Sequence, residues 1–160
     1  MIRPVQRKDA RTLGEIYNYY ITRTVVSFEE HMLETRDMEE RIQTISASYP
    51  WLVWERDGDV LGYAYINTFK ERFAYRFSVE DTIYLKHGCE GRGIGKKLLA
   101  ALLDEVKKMD IHAVVSCITI PNERSVGLHE KFGFIKVGHF REIGFKLNQW
   151  LDVGFWELLL

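Results

Sequence analysis

The stretch HGCEGRGIGKKLLAALL, residues 87–103, contains four glycines and a lysine pair directly before an apolar helical face. Two phosphate-binding patterns fail in this stretch. The dinucleotide-binding pattern G-x-G-x-x-G, started at position 91, fails at Lys96. The P-loop pattern G-x-x-x-x-G-K-[ST] fails at Glu90 and Lys97. The pattern that remains is Gly-x-Gly at positions 93 and 95, which opens the helix directly.

This turn has the properties of an anion site. Glycine lets the backbone point its N–H groups inward and lets a ligand approach without meeting a Cβ atom. The helix that is predicted to begin at Ile94 adds unpaired N–H groups and the positive end of its dipole. Arg92, Lys96 and Lys97 add positive charge. We therefore predict that the turn binds a pyrophosphate; the alternative is a strand-to-helix turn whose glycines only relieve backbone strain.

The composition limits the class of protein. The chain has 160 residues, of which 46% are hydrophobic, and we predict a single folded domain over residues 1–160. The net charge of −1 argues against nucleic acid as a partner. No apolar run is long enough for a membrane span or a signal peptide, and Cys89 and Cys117 form neither a metal-binding spacing nor a disulfide framework. We expect a cytoplasmic protein without a metal.

Hydrophobic periodicity predicts the order of the elements. Asp57-Gly58 is a hairpin turn signal, Asp9 is placed to cap the first helix, and Thr35 with Met38 forms an imperfect capping box. The predicted elements are a strand at 1–5, helices at 8–24 and 35–48, strands at 51–56, 60–69 and 77–86, a helix at 94–109, a strand at 112–120, a helix at 123–132, and strands at 134–147 and 150–160. This order predicts a mixed, mostly antiparallel sheet with helices on both faces.

This order and two motifs resemble the GNAT superfamily of N-acetyltransferases. The stretch EGRGIG, residues 90–95, matches the phosphate motif [Gln/Arg]-x-x-Gly-x-[Gly/Ala] except at its first position, where Glu90 stands. A second signature is matched by Asn122, Ser125, Leu128, His129, Glu130, Gly133 and Phe134. The resemblance implies the α/β (α+β) GNAT fold.

Within the superfamily, the chain resembles the phosphinothricin and methionine sulfone/sulfoximine acetyltransferases. The similar stretches are IYN at 16–18, VSFEE at 26–30, RFAYRFSVEDTIY at 72–84, SVGLHEKFGF at 125–134 and WLDVGFWELLL at 150–160. The resemblance implies direct transfer from acetyl-CoA to the amino group of a small amino-acid-like acceptor, and a homodimer. Two alternatives stay open, namely a protein N-terminal or lysine acetyltransferase and a non-catalytic acyl-CoA-binding module.

The resemblance also implies where acetyl-CoA would bind. The pyrophosphate would lie on the turn, and the pantetheine arm would run along the strand end like an extra strand, with an N–H near Leu85 polarising the thioester carbonyl. Asn122 matches a residue that contacts the pantetheine arm, although it is equally suited to cap the helix after it. The expected cofactor-binding residues are Tyr84, Leu85, Lys86, Gly91, Arg92, Gly93, Ile94, Gly95, Lys96, Asn122 and Ser125.

Two residues are candidates for acid–base chemistry. An ammonium substrate must lose a proton before it attacks, and Glu80 matches the catalytic glutamate of the family. Strand alternation puts Glu80 on the face opposite Asp81, for which we predict a structural role. His129 stands where many members carry a tyrosine that protonates the thiolate of CoA. The alternatives are a solvent-facing strand carboxylate and a helix histidine that satisfies a local hydrogen bond.

The acceptor pocket is predicted from an arginine-flanked loop. Arg72 and Arg76 lie on either side of Tyr75, just before the strand of Glu80, and guanidinium groups bind carboxylates through two points. Arg72, Tyr75 and Phe28 match positions of the phosphinothricin-type motifs. The alternatives are a solvated loop and an arginine that binds a dimer partner.

Overall fold

The computed structural model describes residues 1–160 and contains seven strands and four α-helices. The strands are β1 (Ile2–Pro4), β2 (Trp51–Arg56), β3 (Asp59–Thr68), β4 (Ser78–Leu85), β5 (Ala113–Ile120), β6 (Ile135–Lys146) and β7 (Gln149–Leu159). The helices are α1 (Ala10–Arg23), α2 (Thr35–Ser46), α3 (Ile94–Val106) and α4 (Glu123–Glu130). Single 3₁₀ turns lie at Arg7–Asp9 and Phe73–Tyr75. The predicted order of elements is confirmed.

The strands form one sheet in the order β1-β2-β3-β4-β5-β7-β6. Every neighbouring pair is antiparallel except β4 and β5, which run parallel. These two strands pair at only three positions, the last of which joins Glu80 to Val115. Because β4 continues to Leu85 and β5 to Ile120, the two strands diverge beyond Glu80. The sheet therefore opens into a cleft at its centre.

Apolar cores lie on both faces of this sheet. On one face, α3 packs Leu98, Leu99 and Leu102 against Val79 and neighbouring strand residues. On the other face, α1 and α2 pack against β2 and β3, with Leu13 and Met38 completely buried. The predicted mixed, mostly antiparallel sheet with helices on both faces is thus confirmed. None of the four helices combines the length and apolar content that crossing a bilayer requires.

The caps of the first two helices differ from the prediction. The Asp9 side chain does not cap α1; it accepts hydrogen bonds from the Gln6 N–H and from the Arg3 guanidinium, both at 2.8 Å. At α2 the capping residue is Glu34 rather than Thr35, and its N–H donates to Asp37 at 2.8 Å. Asp9 is engaged by two residues that precede the helix, and Glu34 is a residue type that rarely caps a helix, so capping preference alone did not predict either arrangement.

Candidate active site

The glycine turn between β4 and α3 has backbone conformations that favour glycine. Gly91 and Gly93 have φ angles of 76° and 77°, and Gly93 is the residue that precedes α3. A Cβ atom on either residue would meet nothing within 4 Å. These two glycines are therefore required by the left-handed backbone rather than by a lack of space. Gly95, in contrast, packs in the first turn of α3, where a Cβ would touch Leu128 at 3.5 Å.

Six consecutive N–H groups, those of residues 91–96, donate no hydrogen bond within the protein. The first helical bond of α3 runs from the Lys97 N–H to the Gly93 carbonyl at 3.1 Å. Just before the turn, Glu90 accepts the Gly88 N–H at 2.8 Å, so the residue that departs from the family motif braces the turn. Six open donors at a helix N-terminus attract an anion, and Arg92, Lys96 and Lys97 add charge beside them. These observations support the predicted pyrophosphate site.

The Gly93→Val variant tests this site. A β-branched residue cannot adopt a φ of 77° without strain, so the turn should move and its N–H groups should lose their common direction. We expect the KM for acetyl-CoA to rise at least about tenfold, the effect of losing roughly 1.4 kcal/mol of binding. Gly58→Val, at the β2–β3 hairpin with a φ of 86°, is the matched control for a strained glycine remote from the turn. An unchanged KM at 93 would remove the turn from the cofactor site.

The divergent end of β4 borders the cleft. The Tyr20 hydroxyl donates to the Leu85 carbonyl at 2.7 Å, and the Lys86 N–H donates to the Leu61 carbonyl at 2.8 Å. These bonds fix the strand end against α1 and β3, while the edge that faces β5 has no strand partner beyond Glu80. An extended amide chain can pair with such an edge. That Tyr84, Leu85 and Lys86 hold a pantetheine arm stays a prediction.

Asn122 and Ser125 form the N-terminus of α4 at the opposite side of the cleft. The Asn122 side-chain oxygen accepts the Ser125 N–H at 3.2 Å, so the helix-capping alternative describes what the structure contains. The amide NH₂ of Asn122 has no partner within the protein and is available to a ligand. Capping and ligand binding use different atoms of this side chain, and the second role stays a prediction.

Glu80 lies half-buried on the α1/α2 face of β4, as strand alternation predicts. Burial raises the pKa of its carboxyl above the usual value of 4.5, the neighbouring charge of Asp81 raises it further, and a hydrogen bond from the Cys117 thiol opposes the shift. A carboxyl whose pKa is shifted toward neutrality is suited to accept a proton from an ammonium group. Its position at the point where the sheet opens supports the predicted role as general base.

Several side chains around Glu80 were not predicted from sequence. Arg41 of α2 donates to Glu29 at 2.9 and 2.5 Å, and the Tyr17 hydroxyl donates to the same carboxylate. Tyr65 of β3 belongs to the same surroundings, because the charges of Arg41, Glu29 and Glu80 all act on its pKa, which burial raises. These residues come from α1, α2, β3 and the connection between the two helices, and only the fold brings them together. No local sequence pattern points to them.

His129 does not lie on the Glu80 face. Its ring is buried, its Nδ1 donates to the Ser125 carbonyl at 2.7 Å, and its Nε2 lies 2.9 Å from the Asp81 carboxylate. Burial opposes a charge on this ring, but the hydrogen bond to Asp81, the charge of Asp81 and the hydrogen bond to Ser125 together outweigh it, and the pKa of His129 is raised. Ser116 donates to the same carboxylate. The structure therefore shows the predicted structural role of Asp81, while protonation of a thiolate by His129 stays a prediction without support from this geometry.

The arginine-flanked loop is exposed beside β4. Arg76 stacks between Phe73 and Phe77, with its guanidinium carbon 4.3 and 4.2 Å from the two ring centres. The guanidinium of Arg72 makes no contact of this kind and no hydrogen bond within the protein; only its carbonyl is paired, with the Tyr75 N–H at 2.9 Å. Tyr75 contacts Phe69 edge-on at 5.8 Å. Arg72 is therefore the free guanidinium of the loop.

Phe28 lies apart from that loop. It belongs to the segment between α1 and α2 and packs against Gly144 of β6, where a Cβ atom would come within 2.3 Å of its ring. No hydrogen bond or aromatic contact joins Phe28 to Arg72, Tyr75 or Arg76. The structure thus shows no direct contact between Phe28 and the other predicted acceptor residues.

The site combines an anion-binding turn, an open strand edge and a carboxylate with a raised pKa. Such a set can hold a phosphate-bearing donor and remove a proton from an amine near it. The structure contains no group of three or more His, Cys, Asp or Glu side chains that could hold a metal ion.

Comparison with known proteins gives consistent findings. A family model described as Acetyltransferase (GNAT) domain matches residues 2–154. The chain is 36% identical to a phosphinothricin N-acetyltransferase of Streptomyces viridochromogenes, over 98% of this chain and 85% of that protein. It is 31% identical to an L-methionine sulfoximine/L-methionine sulfone acetyltransferase of Salmonella typhimurium, over 99% of this chain and 94% of that protein.

Solved structures share the whole fold. A phosphinothricin acetyltransferase from Sinorhizobium meliloti in complex with acetyl-CoA is 35% identical and superposes with a TM-score of 0.96, over 100% of this chain and 88% of that one. A structure described as a ribosomal-protein-alanine N-acetyltransferase from Brucella melitensis is 30% identical with a TM-score of 0.98, over 100% of this chain and 99% of that one.

Proposed function

The chain belongs to the GNAT acetyltransferase family, and from this premise we propose that it transfers the acetyl group of acetyl-CoA to the amino group of a small amino acid of the phosphinothricin or methionine sulfone/sulfoximine type. The observation that carries the proposal is the set of six open N–H groups at residues 91–96 with Glu80 at the adjoining cleft. We also propose that residues 1–160 work as one catalytic domain. The relatives named above support the choice of acceptor.

We propose the following roles for the residues of the site. The turn at 91–96 and the edge of β4 bind the donor, whose thioester supplies the acetyl group. Glu80, directly or through one water, accepts a proton from the acceptor ammonium, which leaves a neutral amine to attack. The N–H near Leu85 donates to the carbonyl oxygen as negative charge develops on it. The carbon–sulfur bond then breaks, and CoA leaves as a thiolate that takes the proton that the attacking nitrogen must still lose, directly or through water. The mechanism needs no covalent acetyl-enzyme.

Turnover with a panel of acceptors tests this function. Release of free thiol from acetyl-CoA should be measured with phosphinothricin, methionine sulfone and methionine sulfoximine, with unmodified amino acids, and with an alanine-starting peptide. We expect turnover with the analogues and little with the peptide. The likeness to the ribosomal-protein-alanine N-acetyltransferase structure favours the peptide as the second candidate, and preferred turnover of the peptide would establish it. Acetyl-CoA binding without any turnover would indicate a binding module.

Arg72 is the proposed partner of the acceptor carboxylate or phosphinate. Arg72→Ala should lower the acceptor kcat/KM by an amount that corresponds to about 1.5–3 kcal/mol, the scale of a hydrogen bond to a charged group. Arg76→Ala should lower it less, because Arg76 is held between two phenylalanine rings. Steady-state kinetics with the acceptor varied measure both. The KM for acetyl-CoA should hardly change. Equal acceptor kinetics in Arg72→Ala and the wild type would refute the proposed pairing of Arg72 with the acceptor.

We further propose that two copies associate through the edge of the sheet formed by β6. This 12-residue strand exposes Val137, Phe140, Ile143 and Phe145, and long apolar edge strands are usually covered. Sedimentation equilibrium tests the dimer.

Two proposals concern the biological setting. The chain has two free cysteines, which supports a reducing compartment such as the cytoplasm. Acetylation of a toxic amino-acid analogue would protect a host that produces this chain. Growth of a sensitive host on phosphinothricin, with and without expression of the chain, tests this protection.

A further inference from the structure

Lys146, the last residue of β6, has a buried ammonium group that the mechanism does not use. The residue is only 3% exposed, and its Nζ donates to the Ser27 carbonyl and lies 3.5 Å from the Tyr20 carbonyl. Burial lowers the pKa of this ammonium, although the carboxylates of Glu29 and Glu30 act in the opposite direction. A buried charge is costly unless it is hydrogen-bonded, and no carboxylate lies within salt-bridge distance of this one. Its two hydrogen-bond partners are backbone carbonyls at the far end of the chain.

The segment that Lys146 contacts is the connection between α1 and α2, residues 24–34, which forms no helix or strand. Side chains hold it instead. The Ser27 hydroxyl pairs with the Tyr17 hydroxyl at 2.9 Å, and Glu29 binds Arg41 at 2.5 Å. We name residues 24–34 the α1–α2 loop.

Two residues of β6 contact this loop at one peptide. Gly144 and Lys146 lie two positions apart on the strand and therefore on the same face. Gly144 lies so close to the Phe28 ring that a Cβ atom would come within 2.3 Å of it. The Lys146 ammonium donates to the carbonyl of Ser27, which belongs to the peptide bond between Ser27 and Phe28. One contact fixes the ring of Phe28 and the other fixes its backbone.

We propose that Lys146 is a positioning residue for the acceptor: by holding the Ser27 carbonyl it fixes Phe28 at the acceptor side of the cleft. This inference rests on the proposed function, because it takes Phe28 as part of the acceptor pocket. The ammonium itself touches neither donor nor acceptor, since its hydrogen bonds go to the backbone. One of these bonds acts on the α1–α2 loop, and the other reaches the Tyr20 carbonyl in the last turns of α1.

The test is the Lys146→Met variant, which keeps the length and apolar stem of the side chain and removes the ammonium. We expect acceptor kcat/KM to fall about 10–100-fold, mostly through a higher acceptor KM, as a displaced positioning group does. Affinity for acetyl-CoA should change much less than the acceptor KM, because Lys146 contacts no residue of the turn at 91–96 and reaches the donor side only through Tyr20, whose hydroxyl donates to the Leu85 carbonyl. Hydrogen exchange should become faster over residues 24–34. Lys136→Met, an exposed lysine of the same strand, is the matched control and should change none of these.

Combining Lys146→Met with Phe28→Ala distinguishes a positioning role from a general loss of structure. In a Phe28→Ala chain, Lys146→Met should add no further loss of acceptor kcat/KM, because the residue that it positions is already gone. A full additional loss there, or a wild-type acceptor KM in Lys146→Met alone, would overturn the inference. If Lys146→Met does not fold, Lys146→Gln takes its place in the same comparison.

Failure of the proposed function has a different signature. A wild-type chain that acetylates no amino acid would refute that function, whatever Lys146 does. Hydrogen exchange over residues 24–34 then tests separately whether Lys146 holds the α1–α2 loop in place. Unchanged exchange in Lys146→Met would overturn this role, and faster exchange confined to the α1–α2 loop would support it.

Discussion

The Glu80→Gln variant should lose about 10²–10⁴-fold in kcat, the usual span for a general base. Glutamine keeps the shape and the hydrogen-bonding capacity of the side chain but accepts no proton. Acetyl-CoA binding should persist, because the cofactor site predicted at residues 91–96 does not use this charge. Stopped assays of thiol release, together with calorimetric titration of acetyl-CoA, measure the two effects separately.

The pH dependence gives the sharper result. Deprotonated Glu80 is the active form, so the wild-type rate should rise with pH through the pKa of this carboxyl, which burial places above its usual 4.5. In Glu80→Gln this rise should vanish or move toward the pKa of the free amine. Glu40→Gln, on the exposed side of α2, is the control and should keep the wild-type profile. A wild-type profile in Glu80→Gln would assign the proton transfer to another group.

The second large effect concerns the stability of the fold. Asp81→Asn should lower the free energy of unfolding by about 3 kcal/mol, because it leaves the buried His129 ring without its carboxylate partner. Denaturant unfolding at several pH values measures this loss. Asp152→Asn removes the carboxylate from an exposed pair with His139 and should change stability little.

The sign of the pH dependence should reverse between the two chains. In the wild type the pKa of His129 is raised, so the stabilisation is complete below pH 6.5 and is lost as pH rises through the folded-state pKa. Without the carboxylate, burial is the largest remaining influence and lowers this pKa, opposed only by the hydrogen bond to the Ser125 carbonyl. The variant should then gain stability as pH rises through 6.5. Parallel stability curves for the two chains would show that His129 carries no charge in the folded protein.

The sequence predicted what depends on local pattern. The glycine turn, the long α3 and the alternation of β4 are set by residues close together in the chain, so the cofactor turn and the face of Glu80 followed from spacing and resemblance. Arg41, Glu29 and Lys146 belong to separate elements, and only tertiary packing brings them together. The two partners of His129 illustrate the same limit. Ser125 lies one helical turn away and was foreseeable as a local bond, whereas Asp81 is 48 positions away.

The anion site proposed at residues 91–96 would be formed by the main chain, and this has a consequence for how it would tolerate mutation. Its six donors at residues 91–96 exist whatever side chains stand there, so ordinary substitutions cannot delete them. An alanine scan across 90–97 should therefore find weak effects at the charged positions and strong ones only where φ is positive. The flanking charged side chains can therefore change with little effect on these donors, as long as the turn keeps a brace such as the bond from the Gly88 N–H to Glu90. Such a site can keep its ligand while the sequence around it changes beyond what motif searches detect.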